Sequence, residues 1–140
     1  MMADLRNVFD IAGRSMAAQM VRLNAVASNI ANAGARAGSA EEAFRPLRPV
    51  FQAVFDKGMR NAERATVDVR EVISLNREPQ RAHEPGNPMA DEDGFVYLSS
   101  VDVNEELVDM LEASRQYQNN LEVVTTMRTL MLRTVDMGKS

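Results

Sequence analysis

Apolar residues follow a seven-residue repeat at each end of the chain and alternate with polar ones between. At the start, Phe9, Met16, Leu23 and Ile30 recur at every seventh position, with Ala12, Val26 and Ala33 in a companion row and Met20 and Ala27 beside them. This pattern predicts an amphipathic helix from about Asp4 to Ala33, whose small residues let a partner helix approach closely. Gln19 falls on the seam as a polar exception. Asp4 is placed to cap the first turn, and Gly34 to end the helix in the left-handed conformation.

The far end carries the stronger repeat. Val103, Met110, Tyr117, Val124 and Met131 form an unbroken heptad series, and Leu107, Leu121 and Val135 fill the alternate row, which Ser114 and Arg128 interrupt. Asp102 followed by Glu105 reads as a capping-box-like start, and Glu106 and Asp109 suit the positive end of a helix dipole. The helix would run roughly 33 residues, about 50 Å, before Gly138 ends it. Val108, Leu111, Val123, Met127, Leu130 and Leu132 add apolar surface off this seam. Stripes wider than one partner can cover predict association with further chains, the alternative being packing against the middle region.

All five prolines lie between Pro46 and Pro88, so neither flank is interrupted. Residues 34–49 lack periodicity and read as an extended loop. Val50 to Phe55 and Val67 to Leu75 predict short strands, and a β-like Phe95 to Leu98 follows a turn at Asp93-Gly94. The expected fold is therefore mainly α: long N- and C-terminal helices pairing as a coiled coil, with a small loop-rich β insert between them. In residue terms these are an N-terminal helix at 1–33, an insert at 34–101 and a C-terminal helix at 102–140, the two termini together forming one coiled-coil domain.

Composition narrows the chemistry. A chain of 140 residues suits one domain, and a net charge of −4 attracts no phosphate backbone, so nucleic acid is not an expected partner. Ten methionines against seven aromatic residues favour adaptable helix packing. The absence of cysteine excludes disulfides, thiol catalysis and cysteine-based metal sites. His83-Glu84 begins like a zinc-protease motif, but the residue four after His83 is Asn87. Asp91-Glu92-Asp93-Gly94 resembles a calcium loop, yet the alignment puts Met89 first and Ser100 at the final carboxylate position, so a solvated turn is the better reading. No phosphate-binding glycine motif is present, and no enzyme activity, cofactor, metal or small-molecule substrate is expected. No apolar run approaches the ~20 residues of a membrane span, and the start lacks the pattern of a secretory signal.

Asn24, Ser28 and Asn32 are spaced by four and share a helix face, with Asn29 adjacent. Such residues prefer caps and turns. Inside a helix they read either as a solvated face or as amides that bond to a neighbouring helix and fix its register.

These same residues carry a family likeness. Leu23 to Asn32 (LNAVASNIAN) resembles the N-terminal signature of bacterial flagellar rod, hook and related axial proteins, and Ala113 to Asn120 (ASRQYQNN) resembles their C-terminal signature. Between them, Glu84 to Val96 and Val101 to Met110 are similar to segments of a short rod member of that family. The resemblance implies a structural subunit of the flagellar basal body, polymerising into the proximal rod that transmits torque from motor to hook. It implies as partners other copies of the chain, other flagellar rod proteins and the flagellar type III export apparatus, with the basal-body membrane ring as a further contact. It places the chain in the periplasmic rod, exported without a cleaved signal peptide. The subunit interface would then comprise Phe9, Met16, Leu23, Ile30, Val103, Leu107, Met110, Tyr117, Leu121, Val124 and Met131, with the polar Asn24, Ser28, Asn29, Asn32, Ser114 and Arg115. A cytoplasmic helical adaptor or chaperone-like module would share the heptads, and would differ in forming a stable folded dimer.

Overall fold

The computed structural model describes residues 2–55 and 65–139. Helix α1 (Met2–Ala31) is followed by strands β1 (Arg36–Ala37), β2 (Leu47–Phe55), β3 (Ala65–Ser74), β4 (Arg81–His83) and β5 (Phe95–Leu98), and helix α2 (Val103–Gly138) closes the chain. The long terminal helices follow the heptads, but the expectation of a mainly α molecule with a small insert is corrected. The helices make up about half of the chain, and the middle builds two antiparallel sheets, one pairing β2 with β3 and one ordered β1-β5-β4.

Proline explains much of that difference. Residues 47–49 read as loop from sequence, yet they form the start of β2, with Pro49 opposite Val72. β2 has one free edge, where a proline removes no ladder hydrogen bond, and a following proline biases Arg48 toward extended backbone. β1 and β4 hold two and three residues, too few to show alternation in a sequence, and both exist by pairing to β5.

The helix ends also depart from expectation. α1 begins ahead of Asp4, which lies in its first turn. Its last turn unwinds through bonds from Asn32 N to the Ser28 and Asn29 carbonyls and from Ala33 N to Ile30 O. Gly34 does not take the left-handed conformation; among the described residues Gly94 is the glycine with positive φ, at 81°. At α2 the expected cap is present, with Asp102 Oδ1 accepting from Asn104 N at 2.9 Å and Glu105 N at 3.4 Å. The Glu105 carboxylate does not return to the cap and turns instead to Arg77 and Arg48.

Helix α1 is the central element, with α2 along one side and the β2–β3 hairpin along another. A nine-residue strand spans about 30 Å, and α1 from Asn29 back to Asn7 spans about 33 Å, so hairpin and helix match in length. Arg14 holds the hairpin through Thr66 Oγ1 at 3.4 Å and Asp68 Oδ2 at 3.2 Å. The core these elements share is small and rich in alanine: Ala12, Ala18, Ala25, Val26 and Ala113 are buried in the helices, and Val96 is buried in the second sheet.

The loop before β5 settles the acidic run. Asp91 Oδ1 accepts from Asp93 N at 3.1 Å and Phe95 N at 2.8 Å, so its carboxylate stabilises its own turn. His83 packs edge-on against Phe95, with ring centroids 5.0 Å apart, and Arg81 lies over the same ring. Among the described residues no group of three or more His, Asp or Glu side chains could hold a metal ion, and no helix is long and apolar enough to cross a membrane.

Candidate subunit interface

The two helices run antiparallel and face each other with polar side chains. Asn120 Nδ2 donates to Ser15 Oγ at 2.9 Å, and Gln19 Nε2 donates to Gln116 Oε1 at 2.8 Å. Arg22 donates from Nε to Asp109 Oδ1 at 2.8 Å and from Nη2 to the same oxygen, and it reaches Glu112 Oε2 at 3.3 Å. Burial alone would lower the Arg22 pKa, but the hydrogen bond and charge of Asp109, with help from Glu112, outweigh it and raise the value. Ala12, Val26 and Ala113 fill the space between these pairs.

The ladder ends in a cluster of three side chains, two of them fully buried. Asn29 Oδ1 accepts from Leu47 N at 2.8 Å, and its Nδ2 donates to Leu47 O and to Glu106 Oε2, both at 3.0 Å. One side-chain amide thus satisfies both backbone groups of the first β2 residue. The other Glu106 oxygen accepts from Arg48 Nη2 at 2.5 Å. Desolvation works against the Arg48 cation, but Glu106, joined by Glu105 and Asp109, holds its pKa above the ordinary value. Asn29 and Glu106 are both 0% exposed, so each depends on these partners entirely.

The interface residues expected from sequence separate into three groups in this arrangement. Asn29 is buried and works within the chain. Asn24 is exposed, Ser28 is half-buried, and Asn32 Nδ2 donates to the Ser28 carbonyl at 2.8 Å. Phe9, Met16, Leu23 and Ile30 are half-buried, as are Met110, Ser114, Tyr117, Val124 and Met131. The third group points outward: Arg115 is exposed, and Val103, Leu107 and Leu121 are 42%, 41% and 46% exposed. Leu111, Leu132 and Val135 add to that apolar surface on α2.

Arg22, Arg48, Glu106, Asp109, Gln116 and Asn120 were absent from the sequence-derived interface. Their signal lies in spacing. Ser15, Arg22 and Asn29 are seven apart, as are Glu106, Ala113 and Asn120, and as are Asp109 and Gln116. A largely polar heptad runs beside the apolar one on each helix, and Gln19, the polar exception in the neighbouring row of α1, joins it by bonding to Gln116.

Comparison with known proteins bears directly on this pair of helices. Residues 92–137 match the family described as flagellar basal body rod FlgEFG protein C-terminal. The chain is 42% identical over 135 residues to the flagellar basal-body rod protein FlgC of Salmonella typhimurium, covering 96% of this chain and 98% of that protein. To the flagellar basal-body rod protein FlgC of Aquifex aeolicus it is 35% identical over 138 residues, covering 99% and 100%. With identity at that level along nearly its whole length, the chain belongs to the FlgC family of flagellar basal-body rod proteins.

Proposed function

We propose that this chain, a structural subunit of the flagellar basal-body rod, polymerises with other copies of itself and with other rod proteins through the outward faces of its terminal helices. One observation carries the reading: α2 turns carboxylates and amides toward α1 and leaves Val103, Leu107 and Leu121 uncovered. The half-buried Phe9, Met16, Leu23 and Ile30 of α1 form the flank beside them. Torque then passes between subunits through many parallel helix contacts, a mechanical task that asks for no catalysis, cofactor or metal.

The remaining partners follow from the same role. The flagellar type III export apparatus delivers the chain, and the basal-body membrane ring lies against the assembled rod. A core built largely from alanine and polar pairs supports passage in an unfolded form, since little apolar burial has to be undone.

Leu121→Asp tests the assignment. Assembly would bury the exposed half of Leu121, contributing about 1–2 kcal/mol, and an aspartate there would be desolvated without a partner. Leu121→Asp and Ile30→Asp are each expected to abolish incorporation into rods, and with it motility, while expression and export persist. Normal motility in both variants would overturn the interface assignment.

A further inference from the structure

The Asn29–Glu106–Arg48 cluster does something the other polar contacts do not. Ser15–Asn120 and Gln19–Gln116 bridge α1 to α2, and Arg14–Asp68 bridges α1 to β3. The cluster joins α1, α2 and β2 at once, through three side chains of which two are fully buried.

Consider what each half of that arrangement needs from the other. If the helices pair while the hairpin is undocked, Asn29 loses both bonds to Leu47 and Glu106 loses the Arg48 cation. That leaves a buried carboxylate held by one neutral amide, a strongly disfavoured state. If instead α2 slips by one helical turn, Asp102 or Met110 replaces Glu106 opposite Asn29. Asp102 is already engaged as the α2 cap, Met110 offers no carboxylate to Arg48, and Asp109, three residues on, reaches that level only by abandoning Arg22. Neither partial state satisfies the groups it buries.

We propose that this cluster is an interlock that makes docking of the hairpin and in-register seating of the first turns of α2 on α1 a single conformational event. The hairpin seats on α1 only when α2 presents Glu106 at the level of Asn29, and α2 keeps that level only with Arg48 in place. Buried polar groups are well suited to such a register role because a misplaced one has no satisfactory alternative partner.

Amide hydrogen exchange on the purified full-length chain tests the interlock. In the parent protein, residues 47–55 and 103–110 are expected to share one level of protection. Glu106→Gln, which keeps the shape and removes the carboxylate, should speed exchange at least tenfold in both segments while the stretch around Ser15 and Asn120 stays as in the parent. Arg48→Met approaches from the hairpin side and should loosen 103–110 as well as 47–55. Asn120→Ala, which touches the helices alone, should leave 47–55 unchanged. The proposal is overturned if Glu106→Gln affects α2 alone or accelerates the whole chain uniformly. Confinement of the Arg48→Met effect to the hairpin overturns it too, as does protection of 47–55 in a parent chain whose helices exchange freely.

Discussion

Replacing Arg22 with methionine removes the cation that holds Asp109 across the helix seam, and the geometry sets the size of the loss. The two side chains are 15% and 18% exposed, so neither regains much hydration when its partner goes. A fully buried carboxylate stripped of its partner costs about 3–5 kcal/mol, and an exposed pair contributes about 0–1 kcal/mol. At this exposure the expected loss is about 2 kcal/mol, or a fall in Tm of about 6–10 °C for a chain of this size. The double variant Arg22→Met with Asp109→Leu removes both charges and places two apolar side chains in the seam. Its stability should return to the parent's or exceed it by about 1 kcal/mol. Urea and thermal melts of the parent, both single variants and the double complete the cycle. A single Arg22→Met variant melting within about 1 °C of the parent would show a solvated pair that contributes nothing. A double variant no more stable than either single would show that the ion pair itself stabilises the seam, refuting the idea that its polarity serves register.

Other consequences can be checked alongside. Gly94→Ala forces a side chain onto a φ of 81° and places its Cβ 3.1 Å from both His83 Nε2 and Pro85 Cβ, so a loss of about 1–3 kcal/mol is expected in thermal melts. The Arg77 hydrogen bond, followed by its charge and by Arg48, holds the Glu105 carboxyl below its ordinary value of 4.5, and the Asn87 hydrogen bond leads a similar lowering at Glu84. Because the folded chain binds these protons less readily than the unfolded one, their contribution is fully present above about pH 4.5 and drains away as pH falls through the lowered values. Melts between about pH 6 and 3 should show this decline, and it should be shallower in Glu105→Gln. Leu107→Asp, at a site 41% exposed, should cost the subunit itself about 1–2 kcal/mol, leaving it folded, while blocking incorporation into rods.

The sequence made the helices legible because a repeat sustained over four or more heptads leaves little alternative to a helix. Asp102 marked the start of α2 for a local reason that needs no tertiary context, the short reach of its carboxylate to the next two amides. The hairpin was half visible: Val67 and Val69 alternate as a strand should, whereas Pro46 and Pro49 suggested a break that a free edge does not require. What stayed hidden was the direction each helix face points. A heptad of large apolar residues ordinarily marks the buried seam, so Leu107 and Leu121 are expected to meet a helix, and nothing in that row points to Arg22 and Asp109 as the pair that closes it. Period alone cannot distinguish a stripe covered within the chain from one covered by a neighbour. The polar heptad could have resolved this, since carboxylates at 106 and 109 and cations at 22 and 48 are complementary only if α1, α2 and β2 converge.

That inversion separates two tasks that an ordinary helix pair performs with one surface. Polar groups such as Gln19, Arg22, Asn29 and Glu106 tolerate few misalignments, because each displaced one leaves a buried donor or acceptor unmet. They contribute alignment more than strength. The apolar residues on the other side are less particular about geometry but contribute more: at about 25 cal/mol per Å² a half-exposed leucine or valine is worth about 1 kcal/mol on burial. Val103, Leu107, Leu111, Leu121, Leu132 and Val135 together would then add on the order of 5 kcal/mol per subunit, comparable with the whole stability of a small domain. In the proposed rod, folding within the subunit sets which faces point outward, and contact between subunits supplies much of the free energy that holds them. A substitution in the seam should therefore appear first as misalignment of the helices, and one on the outer face as failure to assemble.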